Sequence, residues 1–423
     1  MKPSHTWAIV TALLGFALWR NGRSSRNILL PTPDFPHGYY AEGSHNGHCS
    51  VVKDASNDMK FCEDAVFWER VDGSGAAVNK VLLLSCDPNR KAWNTVMGPL
   101  HDPNPRGALW FYDMGAEPRR IALEGYPEGH DFHPLGLDVY PSQPSQPYSN
   151  LFVVNHARNG STIEQFTLSW DAPDRARWVR TLSGPELVAP NSLALTSPTS
   201  FYLTHDHRFT RRLPGVLGKT LPLAESILAL PLGWATHVNA EDPDAEAAHT
   251  TVAPYVAFAN GVAISPDGTQ VAVASTTLCE ILFYARDPHT QALSLSARVP
   301  TPFAPDNLVF DARGALIVAG HPHFQSVVAV AENRTGVSAP SWVVSITPES
   351  GAEHGKGEGA AWEAGVPVPA SRKVPRVPGY ELRTLYQSDG SAFSSSSTGL
   401  RDAETGVLYI VGLYEEGLMV CTP

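Results

Sequence analysis

Four stretches of this chain repeat one pattern of polar and apolar positions. Residues 189–195, 258–264, 305–310 and 133–139 each carry a polar or glycine position just ahead of an apolar segment. Each is followed, after turn residues, by a second apolar run: 200–204, 270–274, 315–319 and 151–154. Asn191, Asn260 and the pair Asp306-Asn307 stand just ahead of three of these strands, and Gly136 takes that place in the fourth. A strand–turn–strand unit repeated at wide, irregular spacing predicts blades arranged around an axis. Further strands are expected at 65–68, 80–85, 108–112, 120–123, 380–382, 406–412 and 418–421, and 161–168 alternates as an outer strand does. Residues 27–60 read as irregular, so the body is expected to start near Glu63. Residues 211–221 lack periodicity and read as an active-site lid or a plain surface loop. The acidic run 241–246 reads as a solvated loop. Residues 347–378, rich in Gly, Pro, Ala and Glu without an apolar face, predict a disordered loop insertion. The organisation expected is one all-β domain over 27–423 behind a separate segment, 1–26.

Composition agrees with this pattern. The chain has 423 residues, few charges and many Gly and Pro, as an all-β protein with many turns does. Its net charge of -11 excludes a nucleic-acid binder, which needs a basic surface. No glycine-rich phosphate loop follows a strand. An apolar run from Trp7 to Trp19 precedes Arg20, Arg23 and Arg26. It is short for a spanning helix, which needs roughly 20 residues. It suits a signal peptide or an uncleaved signal anchor, and no clear small-x-small cleavage site follows. Either reading sends the body to the secretory pathway, secreted or held at a membrane, with residues 7–19 as a possible contact with lipid. Asn159 and Asn333 lie in glycosylation sequons. The cysteines are Cys49, Cys62, Cys86, Cys279 and Cys421, with no C-x-x-C pair to hold zinc. Cys49 and Cys421 bracket the body, as a disulfide closing a ring or as two buried thiols.

The chemistry lies in the recurring oxygens. If the blades surround an axis, Asn191, Asn260, Asp306 and Asn307 converge on it, and Glu63 stands in the same place before the first body strand. Five oxygen donors with two negative charges suit calcium, with water or substrate completing the roughly six to eight ligands it takes, whereas zinc or copper would want His or Cys. Against this, Asn or Asp before a strand can simply cap a turn. The histidines His133, His156, His205, His207, His321 and His323 fall at strand ends or adjoining loops, where one or two of them can serve as a general base.

At this point the residues resemble the serum paraoxonase/arylesterase family of calcium-dependent lactonases. The matching segments are Glu63-Asp64, Asn155-His156, Pro190-Asn191, 201–207, 258–268 with Asn260, Asp306-Asn307 and Gly320-His321-Pro322, between Cys49 and Cys421. The resemblance implies a six-bladed β-propeller with two calcium ions in a central tunnel. Glu63, Asn191, Asn260, Asp306 and Asn307 would hold the catalytic calcium. Asp64 and the Leu137 carbonyl would help hold a structural calcium, weakened because Ser192 stands where the family has Asp. Cys49 and Cys421 would form the clasp, and the family's uncleaved N-terminus favours the anchor. His156 matches one member of the family's histidine pair, and His321 matches a pocket histidine, with Phe258 and Leu135 as further pocket residues. Leu135 occupies the principal histidine's position, so the base falls to His156, to His133 two residues earlier, or to Asp306. The activity implied is calcium-dependent hydrolysis of small-molecule lactones or aryl esters. Two alternatives stay open: a gluconolactonase-type hydrolase with one metal, and a non-catalytic, calcium-stabilised propeller that binds a hydrophobic ligand.

Overall fold

The repeated pattern folds into six sheets whose innermost strands touch one another in a ring, a six-bladed β-propeller. The computed structural model describes residues 35–423 except 43, 103, 105, 242–248, 350–366, 373 and 375. Of the first 34 residues it describes only 7, 8, 11, 12, 15, 16, 21 and 22, which are helical. Most of the apolar segment 7–19 and of the acidic run 241–246 therefore lies outside the described residues.

From the axis outward, the first blade runs Cys62–Val71, Ala77–Cys86, Ala108–Tyr112 and Arg119–Arg120. The inner strands of the other five are Pro134–Val139, Pro190–Ser197, Ala259–Ile264, Ala304–Phe310 and Ser396–Arg401. Middle strands read as unbroken apolar runs because both their faces are covered. In Ala77–Cys86, Val81 and Leu83 pack towards the second blade, among Trp68, Leu151 and Phe166. Leu82 and Leu84 pack towards the last blade, among Leu400, Tyr409 and Leu418.

The ring closes with chain from both ends. Cys49–Val52 pairs antiparallel with Leu418–Cys421 as the outer strand of the last blade, and Cys49 and Cys421 are disulfide-bonded. Tyr40–Ala41 adds to Tyr380–Ser388 at the edge of the fifth blade. The segment 27–60 is thus not irregular throughout, and the body begins ahead of Glu63. Those strands escape detection because two to four residues are too few to show a period. A second disulfide joins Cys62 to Cys86 across the first hairpin. Ser74, at the hairpin's turn, lies at the middle of their 24-residue separation, which is the signal that could have paired them.

Two further expectations are corrected. Residues 211–221 are not a plain loop, since helix α1 spans Gly215–Ile227. Its pattern is inverted: Gly218, Pro222, Glu225 and Ser226 are buried, while Val216, Leu217 and Ile227 are exposed. An apolar periodicity therefore had nothing to report. The stretch 347–378 is structured at both ends. Ser341–Pro348 is a strand, and buried Val368 exchanges two hydrogen bonds with the Gln387 side chain. The rest of that stretch, 350–366, lies outside the described residues. Helix α2, Phe324–Ala331, follows the fifth blade's second strand.

Removing the clasp should destabilise the ring. A Cys49→Ser/Cys421→Ser variant is expected to lose about 2–5 kcal/mol, read from its denaturant midpoint under oxidising conditions. An unchanged midpoint would show that blade packing alone closes the ring.

Candidate functional site

Every inner strand carries one extra residue against its partner near its beginning, a β-bulge repeated six times. The bulged positions are Glu63, Leu135-Gly136, Asn191-Ser192, Asn260-Gly261, Asp306-Asn307 and Ser397. A bulge turns a side chain out of the alternation of its strand, and here it turns the bulged residues towards the axis. The Asn and Asp residues thus lie inside the strands rather than ahead of them. Register also corrects the fourth repeat: Leu135 matches Asn191, Asn260 and Asp306, while Gly136 matches Ser192, Gly261 and Asn307. Glycine is required at two of these places. A Cβ on Gly136 would lie 2.5 Å from the Asn191 carbonyl oxygen, and one on Gly261 would lie 2.8 Å from the Asn307 Cα.

The five oxygen-bearing residues meet. Asn307 Nδ2 donates to Glu63 Oε1 at 2.9 Å and to Thr398 Oγ1 at 3.0 Å. Asn260 Nδ2 donates to Asp306 Oδ1 at 2.7 Å, and Asn191 Nδ2 donates to Asp206 Oδ2 at 3.2 Å. Each amide nitrogen is engaged, so each amide oxygen is left free. Asn191 Oδ1, Asn260 Oδ1, Asn307 Oδ1 and Glu63 Oε2 are all buried without a hydrogen-bond partner. An unpaired buried oxygen costs about 1–3 kcal/mol, and free carboxylate and amide oxygens of this kind are what a hard cation takes. Burial, with Asp64 and Asp306 beside it, pushes the Glu63 carboxyl well above its ordinary range. Among the described residues no three His, Cys, Asp or Glu side chains converge as a metal cluster. The donor set, mostly amide and carboxylate oxygen, fits calcium better than zinc.

Glu63, Asn191, Asn260 and Asp306 form part of the wall of a cavity of about 1080 Å³. Leu135, Phe258, Leu223, Ile227 and Phe324 give it apolar surface, the second and third bringing in a left-handed residue and helix α1. Phe258, at φ 52°, has its ring edge-on to His207, 4.5 Å between centroids. Asn307 lies on the far side, against a second cavity of about 200 Å³ that Asp64, Leu137 and Ser192 also line.

The histidines separate by their partners. His156 lines the cavity, but Nε2 faces the Pro190 carbonyl at 2.8 Å and Nδ1 the Thr95 hydroxyl at 2.9 Å. Burial pushes it down to about 4, so it is neutral with both nitrogens committed. His321 Nε2 lies 2.9 Å from Asp306 Oδ2 and fixes that carboxylate. His133 Nδ1 lies 2.7 Å from Asp87 Oδ2, and its Nε2 has no partner. His205 stacks on Trp234, His207 joins Asp206 to Ser226 of α1, and His323 precedes α2. Sequence reasoning missed Asp87, Arg90 and Thr398, which carry no repeated spacing.

The second set differs from the first. Asp64 already accepts from the Ala65 and Leu137 N–H groups at 2.9 and 3.1 Å and from the Thr398 hydroxyl at 2.9 Å. Leu137 turns its N–H to this carboxyl. Ser192 Oγ accepts from Val262 N–H at 3.4 Å. Asn159 and Asn333 are exposed, and Asn333 Oδ1 accepts from Lys91 Nζ at 3.0 Å.

A family model described as Arylesterase matches residues 99–355. The chain is 26% identical over 230 residues to serum paraoxonase/lactonase 3 of Oryctolagus cuniculus, covering 53% of this chain and 60% of that one. It is 28% identical over 252 residues to serum paraoxonase/arylesterase 2 of Rattus norvegicus, covering 58% and 66%. The matched region thus spans about half to two-thirds of these relatives' length. A solved gluconolactonase of Xanthomonas campestris superposes with a TM-score of 0.42 at 14% identity, over 91% of this chain and 99% of that one. A luciferin-regenerating enzyme gives 0.44 at 12%, over 88% and 95%.

Burial pushes Asp64 up to about 7 and Asp138 to about 6. Folding therefore favours their protonated forms. That stability is complete below the unfolded carboxyl value of about 4 and is lost as pH rises through 6 to 7. The histidines His156, His205 and His237, pushed down by burial to about 4, 3 and 4, act the other way below about pH 6.5, so the carboxyl effect is read as a difference between two proteins. Metal-free Asp138→Asn is expected to lose less stability than the unmutated chain between about pH 5 and pH 8; melting scans in EDTA check this, and an equal change in both contradicts it. Gly261→Ala should push the Asp306-Asn307 bulge aside and weaken calcium binding at least about tenfold by titration calorimetry, whereas Gly73→Ala, with open space around it and no left-handed φ, should not.

Proposed function

The chain belongs to the arylesterase family, and on that footing we propose that it hydrolyses small-molecule lactones or aryl esters. Glu63, Asn191, Asn260, Asp306 and Asn307 hold a calcium ion in this reading. The observation that carries it is the set of buried, unpartnered oxygens of Glu63, Asn191 and Asn260 at the wall of one cavity, with that of Asn307, which is hydrogen-bonded to Glu63, on its far side. Calcium bound there would draw the carbonyl oxygen of the substrate and stabilise the negative charge that grows on it during attack by water.

The protein's own groups supply the rest. His321 and Asn260 hold the two oxygens of Asp306, and Asn307 holds Glu63. Leu135, Phe258 and Phe324 offer the substrate an apolar surface. A proton must leave the attacking water, and His156 cannot take it while both its nitrogens are bonded. His133 Nε2, His321 Nδ1 and Asp306 remain as acceptors.

We assign one bound calcium rather than two. The Asp64 carboxyl already accepts two N–H groups and one hydroxyl, and Ser192 adds no charge. The two disulfides support folding in an oxidising compartment, in keeping with the secretory reading of residues 1–26. Among the described residues no helix is long and apolar enough to cross a membrane.

A panel of lactones and aryl esters, run with calcium and with EDTA, tests the proposal. Turnover is expected with calcium alone, about one calcium per chain should be counted, and Asp306→Ala should lower kcat/KM at least about 100-fold. If EDTA lowers the melting temperature but no substrate is turned over, the chain is a calcium-stabilised binding protein. If Asp306→Ala stays active, the metal assignment is wrong.

A further inference from the structure

We infer that Asp87 and His133 form a general-base dyad for this cavity, with His133 taking the proton from the attacking water and Asp87 positioning it. The inference rests on the hydrolase reading and adds to it the residue that moves the proton.

The geometry is that of an oriented imidazole. Asp87 Oδ2 lies 2.7 Å from His133 Nδ1, and both side chains are almost wholly buried. A carboxylate only accepts hydrogen bonds, so the ring proton belongs on Nδ1 and the lone pair on Nε2. Nε2 has no partner, and His133 lines the cavity that holds Glu63, Asn260 and Asp306. The other candidate, His156, lines the same cavity with no free lone pair. His321 Nδ1 is also unpartnered on this cavity, but its Nε2 is bonded to Asp306, a carboxylate of the cation set, whereas His133 pairs with a carboxylate outside that set, and this contrast selects His133.

Both members are held from several sides. Asp87 Oδ1 accepts the Asn89 N–H at 2.9 Å. Asp87 directly follows Cys86, whose disulfide partner Cys62 directly precedes Glu63. One cross-link thus anchors the positioning carboxylate and a cation-site carboxylate together. The His133 N–H donates to Asn155 Oδ1 at 2.8 Å, and Asn155 is itself held by Glu164 at 3.0 Å. The Trp93 ring lies 5.7 Å from the imidazole. Besides Asp87, the titratable or charged groups around this ring are His156, whose N–H bonds the His133 carbonyl, and Arg90, whose guanidinium donates to the Pro134 carbonyl. Glu63 and Asp206 share the cavity.

The step balances without another reactant. Water's oxygen bonds to the ester carbonyl carbon as one of its protons moves to His133 Nε2 and the carbonyl π pair moves onto its oxygen. When that pair returns, the bond to the leaving oxygen breaks. The leaving oxygen takes the proton back from Nε2, acid and alcohol form, and His133 ends neutral.

The test uses the calcium-loaded full chain and the best substrate of the panel. His133→Gln and Asp87→Asn should each lower kcat, by about 10²–10⁴-fold for the first, with KM within about threefold and calcium affinity unchanged. Asp87→Asn should cost nothing more in the His133→Gln background, because a positioning residue has nothing left to position. Imidazole in solution should restore part of the turnover of His133→Ala. Ring correlations of nitrogen-15-labelled histidine should place the His133 proton on Nδ1, and a proton on Nε2 overturns the dyad even if a variant folds poorly. Activity retained in Asp87→Asn and His133→Gln, with Asp306→Ala inactive, overturns the dyad alone. A wild type inert towards every lactone and aryl ester overturns the hydrolase reading and the dyad with it.

Discussion

The structure turns on oxygens that the fold buries without hydrogen-bond partners. Glu63 Oε2 and the side-chain oxygens of Asn191, Asn260 and Asn307 come from four different blades. Each would be costly to leave unpaired, and their neighbours are arranged so that nitrogen, not oxygen, is consumed. Carboxylates and hydroxyls accept the amide N–H groups, which leaves the carbonyl ends together. The six repeated bulges make this possible. Regular alternation would send successive side chains into the gaps between blades, where apolar residues already fill the space.

Around this centre the polar groups are layered. Thr398, on the sixth blade, donates to the Glu63 carbonyl and to Asp64 and accepts from Asn307. It thereby ties the first, fifth and sixth blades at the axis. Arg90 does the same on the cavity side, bonding the Phe61 and Pro134 carbonyls at the starts of the first and second inner strands. Its charge lies near Glu63 and opposes, without cancelling, the effect of burial there. The two disulfides act at different radii. Cys49–Cys421 closes the outer rim, and Cys62–Cys86 fixes the hairpin that presents Glu63 and Asp87.

Helix α1 connects this centre to the outside. Asp206 accepts from Asn191 and from His207, His207 faces Ser226 of the helix, and Glu225 accepts the Arg208 and Phe209 N–H groups. The helix buries these polar residues and leaves Val216, Leu217 and Ile227 exposed. It is docked by hydrogen bonds to the third blade more than by an apolar face, which is why propensity and periodicity do not announce it.

Much of the fold is legible because β-strand patterning is local. The apolar runs of the middle strands, and Asn191, Asn260 and Asp306-Asn307 recurring ahead of similar runs, follow from chain order alone. So does the expectation that Glu63, Asn191, Asn260, Asp306 and Asn307 face the axis once the repeats are aligned around it. Register is not local. Whether Leu135 or Gly136 matches Asn191 depends on which partner residue each strand bonds, and only the paired sheet decides it. The short strands 40–41 and 49–52 exist only because distant strands offer them an edge. Among the histidines, residue type and position are alike in His133 and His156. What separates them is a carboxylate 46 residues away for one, and a hydroxyl and a carbonyl, 61 and 34 residues away, for the other. The sequence by itself determined which atoms were available, and tertiary structure decided which lone pairs stayed free, because hydrogen bonds between distant segments form only once the blades have closed.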